Sequence, residues 1–322
     1  MQHNCEPSIE ESELQPPSRL QVTEAQRRLA SLVRRTPVFE VADDDILGAT
    51  GGQRSPRFVL KLEHLQYSGT FKARGASNFL ASMPISDAGV VAASGGNHGA
   101  AVAWAARRGG HAATIFVPTI SSPAKVERLR SYGADVRRVG AVYAESLEAS
   151  LEFRDERGAT SIHAYNHPTV MAGAGTTGAE FVEQADGLDT ILVACGGGGL
   201  AGGIACAVEN DVTVVVCETE TTNAYAAAVA AGAPVDVAVS GLAADALGAT
   251  RIGELAWAAL SNRRAPSLLV TDEELSEAQE HVWNEFRLII EASAAAPMAA
   301  LRSRRYEPRP DERVGILLCG AN

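Results

Sequence analysis

A lysine in a glycine-containing turn is the first residue of this sequence that could do chemistry. Residues 67–76 read Tyr-Ser-Gly-Thr-Phe-Lys-Ala-Arg-Gly-Ala and place Lys72 where a turn enters a helical pattern. The chain has three lysines, Lys61, Lys72 and Lys125, and of these Lys72 alone lies in such a turn. The amine can act as a nucleophile, or it can be a solvated helix cap. The turn is not a P-loop, because no GxxxxGK[ST] pattern surrounds it.

A run of four glycines is the second candidate. Gly196 to Gly199 follow the apolar residues 190–194 and precede a helical pattern that begins near Leu200. Bare backbone N–H groups at the positive end of a helix bind phosphate well, so this junction predicts an anion site. The other interpretation is a glycine-rich turn that only lets a strand and a helix pack closely.

The same junction also fits a dinucleotide fingerprint. Gly197, Gly199 and Gly202 match GxGxxG, and Glu218 follows Gly199 by about the twenty residues expected of a ribose-binding acid. Taken alone, this pattern supports an NAD-dependent oxidoreductase.

The third candidate is a polar loop after another apolar run. Residues 94–98 read Ser-Gly-Gly-Asn-His, and Ser94 and Asn97 offer short polar side chains beside several N–H groups. Such a loop suits a substrate carboxylate or a phenolic oxygen. Alternatively, Asn97 caps a helix and His98 is solvated.

Composition favours a folded enzyme that acts on small molecules. The chain has 322 residues, 46% hydrophobic and 21% charged, and 28 basic against 39 acidic residues give a net charge of −11. This charge opposes binding to nucleic acid or an anionic membrane. No basic region followed by an apolar run opens the sequence, and no stretch of eighteen apolar residues occurs, so neither a secretory signal nor a membrane span is expected.

The five cysteines carry no metal or redox pattern. Cys5, Cys195, Cys206, Cys217 and Cys319 include no CxxC pair. We interpret them as reduced thiols of a cytoplasmic protein.

The elements that must position these residues alternate between strand and helix. Short apolar runs predict strands at 58–62, 89–93, 112–117, 190–194, 212–217 and 315–319. Helical patterns lie between them, among them 73–82, 99–107, 175–184 and 200–209. The alternation predicts an α/β protein with parallel sheets.

Taken together, the three junctions resemble the fold-type II pyridoxal-phosphate enzymes. More narrowly, the chain resembles the serine/threonine dehydratase (threonine ammonia-lyase) and serine racemase family. Residues 68–76 match the cofactor lysine motif, 94–98 the substrate and ring loop, and 196–200 the phosphate loop. The closing Cys-Gly-Ala-Asn of 319–322 resembles the family's Ser/Cys-Gly-Gly-Asn. The likeness runs from about Thr36 to Asn322.

The resemblance implies an architecture and a set of site residues. It implies two open parallel-sheet domains of the tryptophan synthase β-like type. By this resemblance, residues 1–86 and 173–322 form the large domain, with 1–20 as a disordered tail, and residues 87–172 form a small inserted domain. It also implies a homodimer with a small amino-acid substrate. The implied catalytic and cofactor-binding residues are Lys72, Phe71, Asn97, Gly196, Gly197, Gly198, Gly199, Leu200 and Cys319. The implied substrate-binding residues are Ser68, Thr70, Ser94, Gly95, Asn97 and His98.

The implied chemistry is deamination by β-elimination. Lys72 is expected to hold pyridoxal 5'-phosphate as a Schiff base and then to remove the Cα proton of a 3-hydroxy amino acid such as L-threonine or L-serine. Cys319 is expected to face the pyridine nitrogen and to be a weak partner there, because a thiol has an ordinary pKa near 8.5. Racemases of this kind have a serine where this chain has Gly95, so a dehydratase is preferred over a racemase. The alternative with the same cofactor is a racemase or a specialised lyase that acts on a larger substrate.

Three departures from the family pattern bear on the substrate and on a cation. Ala174 stands where many relatives have glutamine, and Ala321 replaces the usual second glycine. Relatives often bind a cation through two acids; Glu218 matches the first, but Ala224 replaces the second. No metal is therefore predicted. The alternative to a binding role for Glu218 is that it caps the end of its strand.

Overall fold

The computed structural model describes residues 15–48 and 55–322. Its strands are β1 (Val38–Val41), β2 (Arg57–Lys61), β3 (Val90–Ala93), β4 (Ala113–Val117), β5 (Asp135–Arg138), β6 (Thr160–Ser161), β7 (Thr190–Ala194), β8 (Thr213–Thr219), β9 (Ser267–Val270) and β10 (Arg313–Leu317). Its helices are α1 (Arg19–Leu29), α2 (Asp43–Leu47), α3 (Lys72–Ser82), α4 (Asn97–Gly109), α5 (Pro123–Ser131), α6 (Tyr143–Arg157), α7 (Pro168–Ala185), α8 (Gly199–Ala207), α9 (Ala224–Ala231), α10 (Ala244–Leu247), α11 (Glu254–Asn262), α12 (Asp272–Phe286) and α13 (Ala296–Arg302).

The described strands form two sheets. One has six strands in the order β1-β2-β10-β7-β8-β9, and the other has four in the order β5-β4-β3-β6. Every pairing is parallel except that of β1 with β2, which is antiparallel at the sheet edge. The predicted α/β class with parallel sheets is confirmed, with this one edge strand as an exception.

The central strands are apolar throughout because helices cover both faces of each sheet. All five residues of β7 are buried. In β3, Val90 and Ala92 pack on the side of α3 and α4, whereas Val91 and Ala93 pack on the side of α6. A strand buried on both faces leaves no polar alternation in the sequence.

The four-stranded sheet uses residues 90–161, within the predicted small domain, and the six-stranded sheet uses residues on both sides of it. The domain boundaries themselves stay a prediction. At the N-terminus, residues 1–14 of the predicted tail lie outside the described residues. Helix α1 begins at Arg19, after Ser18, whose side chain accepts from the N–H of Gln21 in a capping box.

A buried ion cluster fixes α3, the helix that begins with Lys72. Arg74 donates from Nε to Glu63 at 2.6 Å and from Nη1 to Glu180 of α7 at 3.0 Å. Lys61, at the end of β2, donates to the same Glu180. Burial opposes the ionisation of Glu180, but Arg74 and Lys61 outweigh it and lower its pKa. The cluster therefore joins β2, α3 and α7 through charges that are all paired.

We expect Arg74→Ala to lower the free energy of unfolding by about 3–5 kcal/mol, because it leaves two buried carboxylates without their main partner. Chemical denaturation followed by circular dichroism measures this loss. Arg305→Ala is the matched control, since Arg305 pairs with Glu274 at the surface and its removal should cost less than about 1 kcal/mol. Equal losses in the two variants would contradict a special role for the cluster.

Candidate active site

The lysine turn, the glycine run and Cys319 meet because they follow neighbouring parallel strands that end at the same edge of one sheet. In the six-stranded sheet β2, β10 and β7 are neighbours, and their carboxyl ends lead to the lysine turn, to Cys319 and to the glycine run. The Ser94 loop follows the carboxyl end of β3 in the other sheet. Ligands of open α/β sheets bind at such carboxyl ends.

Lys72 is the first residue of α3, and backbone bonds to the exit of β10 hold its turn. The N–H of Phe71 donates to the carbonyl of Cys319 at 3.1 Å, and Thr70 forms an isolated β-bridge with Gly320. The amine of Lys72 donates to the carbonyl of Ala164 at 2.8 Å. Burial lowers the pKa of Lys72 to about 8, with Cys319 and Glu291 opposing the shift.

The glycine run forms the turn between β7 and α8. Gly198 has a φ of 85°, a left-handed conformation that glycine adopts without strain, and it is the N-cap of α8. The first N–H groups of a helix have no partner within the helix, so those after Gly198 are available to an anion. The side chain of Tyr165 packs against Gly197 and Gly199.

The Ser94 loop leads into α4. The Ser94 hydroxyl accepts from the N–H of Gly96 at 3.3 Å, and Asn97 is the first residue of the helix. His98 is buried, and its Nε2 lies 2.9 Å from the carbonyl oxygen of Ile162, so that nitrogen carries the proton. Burial, with Lys72 nearby, lowers the pKa of His98 to about 3, which leaves the imidazole neutral.

All nine predicted cofactor residues line one cavity. Those on its wall are Phe71, Lys72, Asn97, Gly196, Gly197, Gly198, Gly199, Leu200 and Cys319. His98 lines a neighbouring cavity that shares Lys72. The remaining predicted substrate residues, Ser68, Thr70, Ser94 and Gly95, line neither cavity.

Ser68 and Thr70 instead support the lysine turn. Ser68 has a φ of 55°, unusual for a residue with a side chain, and its carbonyl accepts a hydrogen bond from Arg128 of α5. Thr70 is fully buried against the exit of β10. The substrate contacts predicted for these two residues remain predictions.

Five further residues of the cavity wall lie outside the sequence motifs. They come from three separate segments: Tyr165, Ala246, Leu247, Glu291 and Ser293. Glu291 accepts from Nδ2 of Asn97, at 3.0 Å and 2.9 Å to its two oxygens. Sequence reasoning missed them because loops that are distant along the chain bring them here.

Glu218 caps a helix. Its two carboxylate oxygens accept from the N–H groups of Tyr225 and Ala226, each at 2.8 Å, at the start of α9. Burial raises the pKa of Glu218 to about 8, although these hydrogen bonds oppose the shift. The sequence alternative placed Glu218 as a cap at the end of its strand, whereas it caps the following helix. A carboxylate used in this way is not available to the ribose of a dinucleotide.

The cavity fits pyridoxal phosphate. It offers the Lys72 amine for the aldehyde, N–H groups of the glycine run for the phosphate, and the amide of Asn97, whose buried Oδ1 has no hydrogen-bond partner. Cys319 is buried beside Lys72, and burial raises its thiol pKa, so it stays neutral. These are the groups that would hold the ring and the phosphate.

Comparison with known proteins supports the same cofactor. A family model described as "Pyridoxal-phosphate dependent enzyme" matches residues 29–320. The chain is 35% identical over 305 residues to a phenylserine dehydratase of Ralstonia pickettii, covering 92% of this chain and 90% of that protein. It is 33% identical over 305 residues to an L-threonine ammonia-lyase of Geobacter sulfurreducens, covering 93% of this chain and 74% of that one.

A solved structure matches over nearly the whole length as well. Maize serine racemase superposes with a TM-score of 0.88 at 30% identity, covering 95% of this chain and 94% of that chain. The predicted fold-type II architecture is thereby confirmed, and the alternative of an NAD-dependent oxidoreductase was wrong. From the family match, the relatives and the structure, we conclude that the chain belongs to the pyridoxal-phosphate dependent enzyme family and that pyridoxal phosphate is its cofactor.

Proposed function

We propose that this enzyme is an ammonia-lyase that converts L-threonine, L-serine or a related 3-hydroxy amino acid to a 2-oxo acid and ammonia by β-elimination. The observation that carries the proposal is the Lys72 amine in the cofactor cavity, with a pKa that burial lowers to about 8. The family resemblance adds that Gly95, where racemases resembling this chain have a serine, offers no second base. The names of the two dehydratase and ammonia-lyase relatives support the same reaction class.

Lys72 binds the cofactor and moves the proton. Since burial lowers its pKa to about 8, a large fraction of its amine is neutral near that pH and can act as nucleophile and then as base at Cα. When bound, pyridoxal phosphate supplies the electron sink that stabilises the negative charge left at Cα.

The side chains around Lys72 do not compete for that proton. Burial and the charge of Lys72 lower the pKa of His163 to about 4, and its Nδ1 already accepts from the N–H of Asn166 at 2.8 Å. His98 is neutral for the same reasons. Both imidazoles therefore stay neutral above about pH 5, and they orient groups rather than transfer protons.

Cys319 influences how strongly the cofactor ring withdraws electrons. Burial raises its thiol pKa, so it presents no negative charge to a pyridine nitrogen. A neutral partner leaves the ring a moderate electron sink, which suits loss of a 3-hydroxy group better than transamination. Ser94 and the N–H groups after it are proposed to bind the substrate carboxylate.

The finer features of the sequence prediction also stand as proposals. Residues 87–172 form an inserted domain, and the enzyme is a cytoplasmic homodimer. The location rests on free thiols, since Cys195, Cys206, Cys217 and Cys319 form no disulfide among the described residues. The dimer rests on the family resemblance alone. No helix among residues 15–48 and 55–322 is long and apolar enough to span a membrane.

The activity is tested by 2-oxo acid release from a panel of L- and D-3-hydroxy amino acids. We expect the holoenzyme to release a 2-oxo acid from at least one L-substrate, and Lys72→Ala to lose covalent cofactor and turnover. Lys125→Ala is the control, because Lys125 lies at the surface in an ion pair with Asp245. Interconversion of L- and D-serine that is faster than pyruvate formation would overturn the proposal in favour of a racemase.

Gly95→Ser tests why a lyase is preferred. A Cβ at residue 95 would meet Ser121 Oγ at 3.5 Å and Val117 at 3.6 Å, so the site has room for the side chain. We expect the variant to gain measurable exchange of the Cα configuration of serine, because it restores the serine hydroxyl that racemases resembling this chain have at this position. Chiral chromatography of recovered substrate measures it, with Gly95→Ala as the control without a hydroxyl. Equal exchange in the two variants would remove the argument from Gly95.

The lowered pKa of Lys72 predicts how cofactor loading depends on pH. Only the neutral amine reacts with an aldehyde, so the rate at which cofactor-free enzyme takes up pyridoxal phosphate should rise with pH and level off above about pH 8. Stopped-flow absorbance measures the rate. A rate that still climbs beyond pH 10 would mean that Lys72 titrates like an ordinary lysine.

A further inference from the structure

Glu291 is a half-buried acid in the cofactor cavity to which the proposed reaction assigns no role. It lies just before the short turn of residues 292–295 and shares the cavity wall with Lys72, Asn97 and Cys319. Among the described residues that line this cavity it is the only acidic one. Burial raises its pKa, with Asn97, Ser293 and Asn322 opposing the shift through hydrogen bonds.

The donors that contact its carboxylate are neutral. Oε1 accepts from Ser293 Oγ at 2.8 Å and from Asn97 Nδ2 at 3.0 Å, and Oε2 accepts from the same Nδ2 at 2.9 Å. A Cβ at Gly320 would lie 2.6 Å from Oε1, so the close approach of the carboxylate needs a glycine there. The backbone and two side chains are thus arranged around this one group.

The contact decides which end of the Asn97 amide faces Glu291. A carboxylate only accepts hydrogen bonds, so it favours the amide nitrogen over Oδ1, and the reversed amide would bring two acceptors together. Both carboxylate oxygens lie at nearly the same distance from Nδ2, as they do when they share one N–H. The second N–H of Asn97 then remains for another acceptor.

The contact also joins the two sheets of the protein. Asn97 begins α4 on the four-stranded sheet, whereas Glu291 is held to the exit of β10 by its N–H, which donates to the carbonyl of Gly320 at 3.0 Å. Glu291 therefore sets both the orientation and the position of Asn97 relative to Lys72 and Cys319.

We propose that Glu291 is a positioning residue that holds the Asn97 amide so that an N–H is presented to the phenolic oxygen of the cofactor ring. The proposal rests on the cofactor and on the family resemblance that makes Asn97 a cofactor-binding residue, and it is independent of which hydroxy amino acid is the substrate. It predicts that Glu291 contributes to cofactor binding only through Asn97.

A double-mutant cycle tests this dependence. The dissociation constant of pyridoxal phosphate and the pH midpoint of its visible absorbance are measured for wild type, E291Q, N97A and the double variant, all checked for folding by circular dichroism. Glutamine offers an acceptor and a donor, so it no longer selects one amide orientation. We expect E291Q to weaken cofactor binding about tenfold, the size typical of a lost hydrogen bond to a charged group, and to change it less than about twofold when Asn97 is absent. The absorbance midpoint should likewise respond to E291Q differently in the two backgrounds.

Two further variants keep the test decisive. Gly320→Ala displaces the carboxylate without changing its chemistry, so it should reproduce the loss if E291Q does not fold. Glu312→Gln is the control, because Glu312 is a buried acid that likewise accepts from neutral hydroxyls, those of Thr190 and Tyr306, but at the amino end of β10, where Arg309 also pairs with it. It should leave cofactor binding unchanged.

The outcomes separate clearly. The proposal would be overturned if E291Q weakened cofactor binding equally with and without Asn97. It would also be overturned if E291Q and G320A both left cofactor binding unchanged, or if E312Q weakened it as much as E291Q does. Since the readout is cofactor binding rather than turnover, a wrong substrate assignment would leave it untouched.

Discussion

The ion pairing of the buried Arg74 is the constraint on which the rest of the site depends. Its guanidinium is fully enclosed, so it must meet carboxylates from both sides, and Glu63 and Glu180 provide them from different elements. This requirement fixes α3 against β2 and α7, and Lys72 begins the same helix only two residues earlier. The reactive amine is therefore held by charge pairing that takes no part in the chemistry.

Both sheets contribute residues to the cavity. The six-stranded sheet carries the lysine turn, the glycine run and Cys319 on neighbouring parallel strands. The four-stranded sheet carries Asn97 and His98, and the contacts from Lys72 to Ala164 and from Asn97 to Glu291 link the two. Because each sheet provides part of the site, their relative position sets the geometry around the cofactor.

Apart from the acidic Glu291, burial keeps the titratable side chains beside Lys72 neutral. It lowers the pKa of Lys72 and His98, and it raises the pKa of Cys319, because low polarity disfavours the charged form of each. The imidazole of His98 and the thiol are uncharged near pH 8, whereas Lys72 changes its charge there. Such an environment leaves the cofactor and its lysine as the reactive groups and suits a single proton transfer at Cα.

The sequence by itself determined the family, the cofactor and the inner strands, because Lys72, the run from Gly196 to Gly199 and the fully apolar β7 are local signals. It did not predict β5, whose Asp-Val-Arg-Arg is an exposed edge, and it began α7 at 175 rather than at Pro168 because glycines obscure the helical pattern. Only the tertiary structure decided that Glu218 caps α9 and that Glu291 meets Asn97, 194 residues away along the chain. Such contacts depend on how loops from separate strands converge, and no local spacing encodes that.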